Sequence, residues 1–134
     1  MALMGDTSVW SLALRRDGSV ENLEVQALRA ALVGGEDVVS TGLVLHELLR
    51  GSLPERTRNA ITAAFELLTL VEPSREDYVG AADLSNTCRA AGVQLATVDS
   101  LIAQLCIAHD LVLLTTDADF RHASRHIPLR VWSS

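Results

Sequence analysis

Several carboxylates in this chain stand where an apolar run ends or a helical pattern begins. Asp6 follows "ALMG", and Asp117 and Asp119 follow "LVLLTT", two positions apart. Glu47 lies within "GLVLHELLRG", with Leu43, Val44 and Leu48 around it, and Asp99 sits near the start of "VDSLIAQLCIAH". Each has an ordinary reading. Asp6 can start a turn or cap the helix after it, and Asp117 can cap a turn through "DADFRHAS". Asp99 can complement a helix dipole, and Glu47 can pair with Arg50. As a set they say more. Acids gathered in one cleft repel one another and raise each other's pKa values, and an unpaired buried carboxylate costs on the order of several kcal/mol. A hard divalent cation removes that conflict. Mg²⁺ takes oxygen ligands and keeps several waters, and Mn²⁺ can substitute for it. His46, His109, His122 and His126 share no metal spacing, so zinc is not indicated. His109 fits a helix C-terminus instead.

The segments that must deliver these acids alternate between strand and helix patterns. Strands are expected at "ALMG" (2–5), "DVVST" (37–41), "LTLVE" (68–72), "LVLLTT" (111–116) and "IPLRVW" (127–132). Between them, "NLEVQALRAAL" places Leu23, Ala27, Leu28, Ala31 and Leu32 on one helical face, stopped by Gly34-Gly35. "GLVLHELLRG" is a helix ended by Gly51, and "ERTRNAITAAFELL" turns Ile61, Ala64, Phe65 and Leu68 inward. Ser74 and Asp77 have capping-box spacing for a helix closed by Gly92. In the helix from Val98, the residues Val98, Leu101, Ile102 and Leu105 face inward. Strands separated by helices predict an α/β fold: a central, mostly parallel sheet of four to five strands with helices on both faces, forming one domain over residues 1–134. Sites in such sheets lie beyond the carboxyl ends of the strands, and Asp6 and Asp117 both leave the sheet there.

Composition narrows the chemistry. Apolar residues make up 49% of the 134, which is enough for a core and argues against disorder. "MALMGD" lacks the features of a signal peptide and no apolar run approaches a membrane span, so a cytoplasmic protein is expected. Cys88 and Cys106 read as small buried hydrophobes rather than a disulfide. All eleven basic residues are Arg. Without Lys there is no P-loop, no Schiff base and no Lys general base. A net charge of −6 argues, taken alone, against nucleic-acid binding.

"GDTSVW" (5–10), "LVLHELLRG" (43–51) and "VDSLIAQLCIAHDLVLLTTDADF" (98–120) occur in the order and spacing of the PIN-domain nucleases. Over nearly its whole length the chain resembles, more narrowly, the VapC toxins of bacterial toxin–antitoxin pairs. That resemblance implies a Mg²⁺-dependent endoribonuclease with Asp6, Glu47, Asp99 and Asp117 as its catalytic, metal-binding acids. Asp6, Asp99 and Asp117 hold the metal, and Glu47 orients an outer-shell water or holds a second ion. Asp119 becomes an auxiliary acid, Thr7, Ser8 and Thr115 support the ligands, and Phe120 packs in the core. The implied products carry 5′-phosphate and 3′-hydroxyl ends. The implied partners are an RNA substrate, a second copy of the chain in a homodimer, and a VapB-type antitoxin whose C-terminal segment places an Arg among the acids. Promoter DNA is met only through that antitoxin, and no membrane is involved. Two departures stand out: Gly5 replaces a usual bulky strand residue, and His46 stands where an apolar residue is common. On this reading the cations bound by the acids answer the charge objection. Arg15, Arg16, Arg50, Arg56, Arg58, Arg121 and Arg125 remain for the RNA backbone, with recognition resting on RNA shape.

Other classes fit less well. Phosphatases of the haloacid-dehalogenase type and response-regulator receivers need a Lys, and the former need an acid where Ser8 stands. Flap-type and other DNA nucleases are larger. The remaining alternative is a catalytically inactive PIN-like domain that binds or scaffolds a partner.

Overall fold

The computed structural model describes residues 2–14 and 22–134. Arg15 and Arg16, two of the cations assigned to an RNA backbone, lie outside the described residues. In chain order the elements are β1 (Leu3–Gly5), α1 (Thr7–Ala13), α2 (Leu23–Val33), β2 (Val38–Ser40), α3 (Gly42–Leu49), α4 (Glu55–Glu66), β3 (Thr69–Leu70), α5 (Arg75–Ala90), α6 (Thr97–Ala108), β4 (Val112–Leu114), α7 (Ala118–Ala123) and β5 (Arg130–Val131). The five strands form one sheet in the order β3-β2-β1-β4-β5, and every pairing is parallel.

Successive strand side chains point to opposite faces. Leu3, Met4 and Gly5 of β1 are all buried, so both faces of the central strand are covered. On one face Met4 Sδ lies 3.9 Å from Cys106 Sγ of α6. On the other, Gly5 meets Trp10 of α1. Cys88 and Cys106 are buried and unbonded to each other, as expected. The helix patterns hold in α4, where Ile61 and Phe65 are buried, and in α6, where Leu101, Ile102 and Leu105 are. The expected capping box at Ser74 and Asp77 starts α5, and Gly92, at φ +82°, follows its end. His109 is the C-cap of α6.

The inward face expected for α2 holds at Leu28 and Ala31, with Ala27 packed against the core, and is corrected at its two ends, with Val25 buried in addition. Leu23 is 54% and Leu32 43% exposed, while Val25, Leu28 and Ala31 are buried. This helix carries apolar residues on more than one face, so the pattern alone could not choose the stripe that meets the sheet. "DADFRHAS" is also more than a turn: it contains α7, and Phe120 within it is buried in the core as expected.

The order of strands locates a crevice. From β1 the chain winds outward through β2 to β3, then returns to the other side of β1 for β4 and β5. The reversal falls between β1 and β4, and ligands of open parallel sheets bind outside the carboxyl ends of the strands at such a point. Asp6 directly follows β1, and Thr115 to Asp117 directly follow β4.

Candidate active site

Asp6 is the centre of the crevice. It is 4% exposed and serves as N-cap of α1. Its Oδ1 accepts from Ser8 Oγ at 2.6 Å and from the Val9 amide at 3.1 Å, and its Oδ2 accepts from Thr115 Oγ1 at 2.5 Å. Both hydroxyls also bind the loop after β4. Ser8 Oγ accepts the Thr116 amide at 3.1 Å, and the fully buried Thr115 Oγ1 accepts the Asp117 amide at 2.9 Å. Two short side chains therefore join the ends of β1 and β4 through one carboxylate.

The other acids arrive from helices. Glu47, on α3, accepts from Thr7 Oγ1 at 2.7 Å, which ties α3 to the first residue of α1. It is this hydroxyl, forty positions away, that Glu47 engages, not Arg50. Asp99 lies in the first turn of α6, a helix whose N-cap, Ala96, offers no side-chain cap. Asp117 caps α7, its Oδ1 accepting the Asp119 amide at 2.9 Å, and Asp119 is exposed. The ordinary capping roles of Asp6 and Asp117 are thus real, and they coexist with convergence.

The electrostatics register that convergence. The Asp99 carboxyl is pushed up to about 6, first by burial and then by the charges of Asp117, Glu47, Asp6 and Asp119. Burial also raises Asp6, against the hydrogen bonds from Ser8, Thr115 and Val9 that pull it down, and the charge of Asp117 adds to the rise. Every acid singled out in the sequence therefore acts on Asp99. The donor set is all oxygen, which suits a hard cation. Among the described residues no three His, Cys, Asp or Glu side chains are arranged to hold an ion together. Mg²⁺ commonly uses only one or two direct carboxylates with waters completing its shell, so the donors fit such an ion without a closed cage. In the present arrangement both oxygens of Asp6 accept hydrogen bonds from hydroxyls.

Two contributors were not legible in the sequence. Glu72, just past β3, accepts the Gly42 amide at 2.7 Å and so holds the N-terminus of the helix that carries Glu47. Trp10, 3% exposed, packs against both Gly5 and Phe65. Neither contact has a local spacing signal, because each depends on tertiary approach. A groove of about 540 Å³ lies away from the acids, between α1, α2 and α4, and is lined by Trp10, Leu14, Leu28, Leu32 and Leu67 among others.

A family model described as PIN domain matches residues 3–126. No curated protein matches the chain in sequence at a significant level. Among solved structures, the chain is similar to VapBC2 from Rickettsia felis bound to a DNA fragment from its promoter, with a TM-score of 0.78 at 18% identity over 99% of this chain and 100% of that one. It is similar to DNA-bound VapBC from Salmonella typhimurium, with a TM-score of 0.76 at 16% identity over 98% and 97%. It is also similar to FitAcB from Neisseria gonorrhoeae, with a TM-score of 0.74 at 22% identity over 99% and 97%.

Proposed function

The chain belongs to the PIN-domain family, and from that premise we propose that it is a cytoplasmic, Mg²⁺-dependent endoribonuclease of the VapC toxin type, held in check by a VapB-like antitoxin. The observation that carries this reading is the gathering of acids from the ends of β1 and β4 and from α3 and α6: Thr115 joins Asp6 to the Asp117 loop, Thr7 ties Glu47 to α1, and Asp99 feels the charges of Asp117, Glu47, Asp6 and Asp119. A fold gains nothing in stability from gathering such charges, so their convergence calls for a positive partner.

Asp6, Asp99 and Asp117 are assigned as the residues that hold Mg²⁺ or Mn²⁺. When bound, the ion polarises the scissile phosphate and lowers the pKa of an attached water. The chain's own groups do the rest. Ser8 and Thr115 hold the Asp6 carboxylate in one orientation by donating to its two oxygens. Thr7 donates to one oxygen of Glu47 and so holds the carboxylate where its other oxygen would accept a hydrogen bond from, and orient, the attacking water. Attack by water rather than a ribose hydroxyl forms no cyclic phosphate; the proposed cleavage breaks the P–O3′ bond, the leaving 3′ oxygen takes a proton from solvent, and the products carry 5′-phosphate and 3′-hydroxyl ends.

The partner half of the proposal is supported by the solved neighbours, which include VapBC2 on a promoter DNA fragment, DNA-bound VapBC and a member of the VapBC family of toxin–antitoxin systems from Mycobacterium tuberculosis. Leu32 and Leu67, 43% and 89% exposed, lie along one apolar groove of the kind that protein partners cover. Contact with promoter DNA is assigned to the antitoxin, and a homodimer is the proposed state of the toxin. No helix among the described residues is long and apolar enough to cross a membrane.

The inactive-scaffold reading has one observation in its favour, the lack of a ready three-ligand arrangement. A single experiment separates the two. Purified protein and its Asp6→Asn variant are incubated with total RNA, with Mg²⁺ or with EDTA. Cleavage by the native chain alone, and only with Mg²⁺, supports the nuclease. Absence of cleavage by the native chain, with antitoxin binding intact, establishes the scaffold.

A further inference from the structure

Gly5 departs from the bulky residue common at its position, and the structure gives that departure a use. A Cβ built on Gly5 would stand 3.0 Å from Trp10 Nε1, 3.2 Å from Cδ1 and 3.8 Å from Cε2. The indole edge therefore rests directly on the backbone of the residue before Asp6. Trp10 is held from behind by Phe65 of α4, with ring centroids 5.1 Å apart and planes at 54°. Its Nε1 is buried with no hydrogen-bond partner, so the ring is placed by shape alone.

Trp10 belongs to the helix that services the crevice. Thr7 binds Glu47, Ser8 and the Val9 amide bind Asp6, and the Trp10 amide donates to the Asp6 carbonyl at 3.2 Å. These contacts require α1 to sit low over the end of β1. We infer that Gly5 and Trp10 are a positioning pair: the missing side chain at Gly5 lets the Trp10 ring settle on β1, and that seating sets α1 at the height where Ser8, Val9 and Thr7 reach their carboxylates. The inference rests on reading those carboxylates as the metal site. A methyl at position 5 forces a shift of a few tenths of an ångström. Either α1 lifts and the short bonds to Asp6 lengthen, or the ring leaves Phe65 and turns into the neighbouring groove.

The test compares native protein, Gly5→Ala, Gly5→Ala/Trp10→Phe and a control, Leu129→Ala, which truncates a buried residue beside β5. Mn²⁺ affinity is measured by titration, amide exchange is followed at Val9, and Tm is recorded for all four. Gly5→Ala is expected to weaken Mn²⁺ binding about tenfold, the scale on which partners of metal ligands act, and to speed exchange at Val9 by a similar factor. The double variant, with a smaller ring, recovers both to within about threefold. Leu129→Ala lowers Tm and moves neither. Unchanged affinity and exchange in Gly5→Ala, or no recovery in the double variant, overturns the inference. If the native chain takes up no Mn²⁺, the nuclease reading falls, and exchange at Val9 still decides whether the pair positions Asp6.

Discussion

The hydroxyl of Thr115 stands between Asp6 and the loop that bears Asp117, donating to the first at 2.5 Å and accepting from the amide of the second at 2.9 Å. Thr115→Val keeps the shape and removes both bonds. A buried carboxylate then loses a donor and a part-buried amide loses its acceptor, at a cost of about 1–3 kcal/mol. The expected result is a lower urea midpoint and a drop in metal-dependent cleavage of at least tenfold, with Thr115→Ser retaining most of both. Full activity in Thr115→Val shows the hydroxyl to be dispensable.

The position of Asp99 makes stability sensitive to pH when divalent cations are withheld. Its carboxyl titrates near 6 when folded, against an ordinary value of 3.8. Between these values the folded state binds the extra proton, so this group's contribution to stability is fully present below about pH 4 and is lost as pH rises through 6. Asp6 is shifted in the same direction. In EDTA, Asp99→Asn is expected to raise Tm at pH 7.5 by a few degrees and to flatten this dependence, while abolishing cleavage. Parallel Tm curves for the two proteins from pH 4 to 8 contradict the assignment.

Divalent cations should reverse that pattern. Binding to the folded state alone raises Tm, and it requires ionised acids. Mg²⁺ or Mn²⁺ at millimolar concentration is therefore expected to stabilise the native chain strongly at pH 7.5 and weakly at pH 5, and Asp99→Asn hardly at all. Differential scanning fluorimetry reads this directly. Equal stabilisation of both chains places the ion elsewhere.

A fourth prediction concerns an acid outside the crevice. Hydrogen bonding from the Ser74 backbone amide holds Asp77 below the ordinary range, against a rise from burial; Gln104, the Ser74 hydroxyl and the charge of His109 lower it further. A lowered acid contributes stability above its unfolded pKa that is lost as pH falls through the folded value. Asp77→Ala is expected to cost about 1–2 kcal/mol through loss of the capping box, most of it at neutral pH. Cleavage per folded molecule is unchanged. A change in metal affinity in this variant is the outcome that contradicts a purely structural role.

How much of this was legible in the sequence follows from the range of each interaction. The strand–helix alternation and the acids after β1 and β4 could be read because apolar periodicity and chain order are local. Phe120, the capping box and His109 fell where their spacing put them. The stripe of α2 was read correctly at Leu28 and Ala31 but drawn to include Leu23 and Leu32 in place of Val25, because its apolar residues offer several faces and only packing on α1 and the sheet selects Val25. The seat of Trp10 on Gly5 and the grip of Glu72 on Gly42 were invisible because they depend on tertiary approach.

Asp6 and Asp117 both close the first turn of a helix with the same side chains that join the acid cluster. An experimenter who silences the protein with alanine therefore frays two short helices along with the chemistry, and a silent phenotype cannot be attributed to either cause. Asparagine keeps an oxygen for the helix end while removing the charge and, at Asp6, the acceptor that faces Thr115, which makes Asp6→Asn and Asp117→Asn the more informative variants for work in living cells.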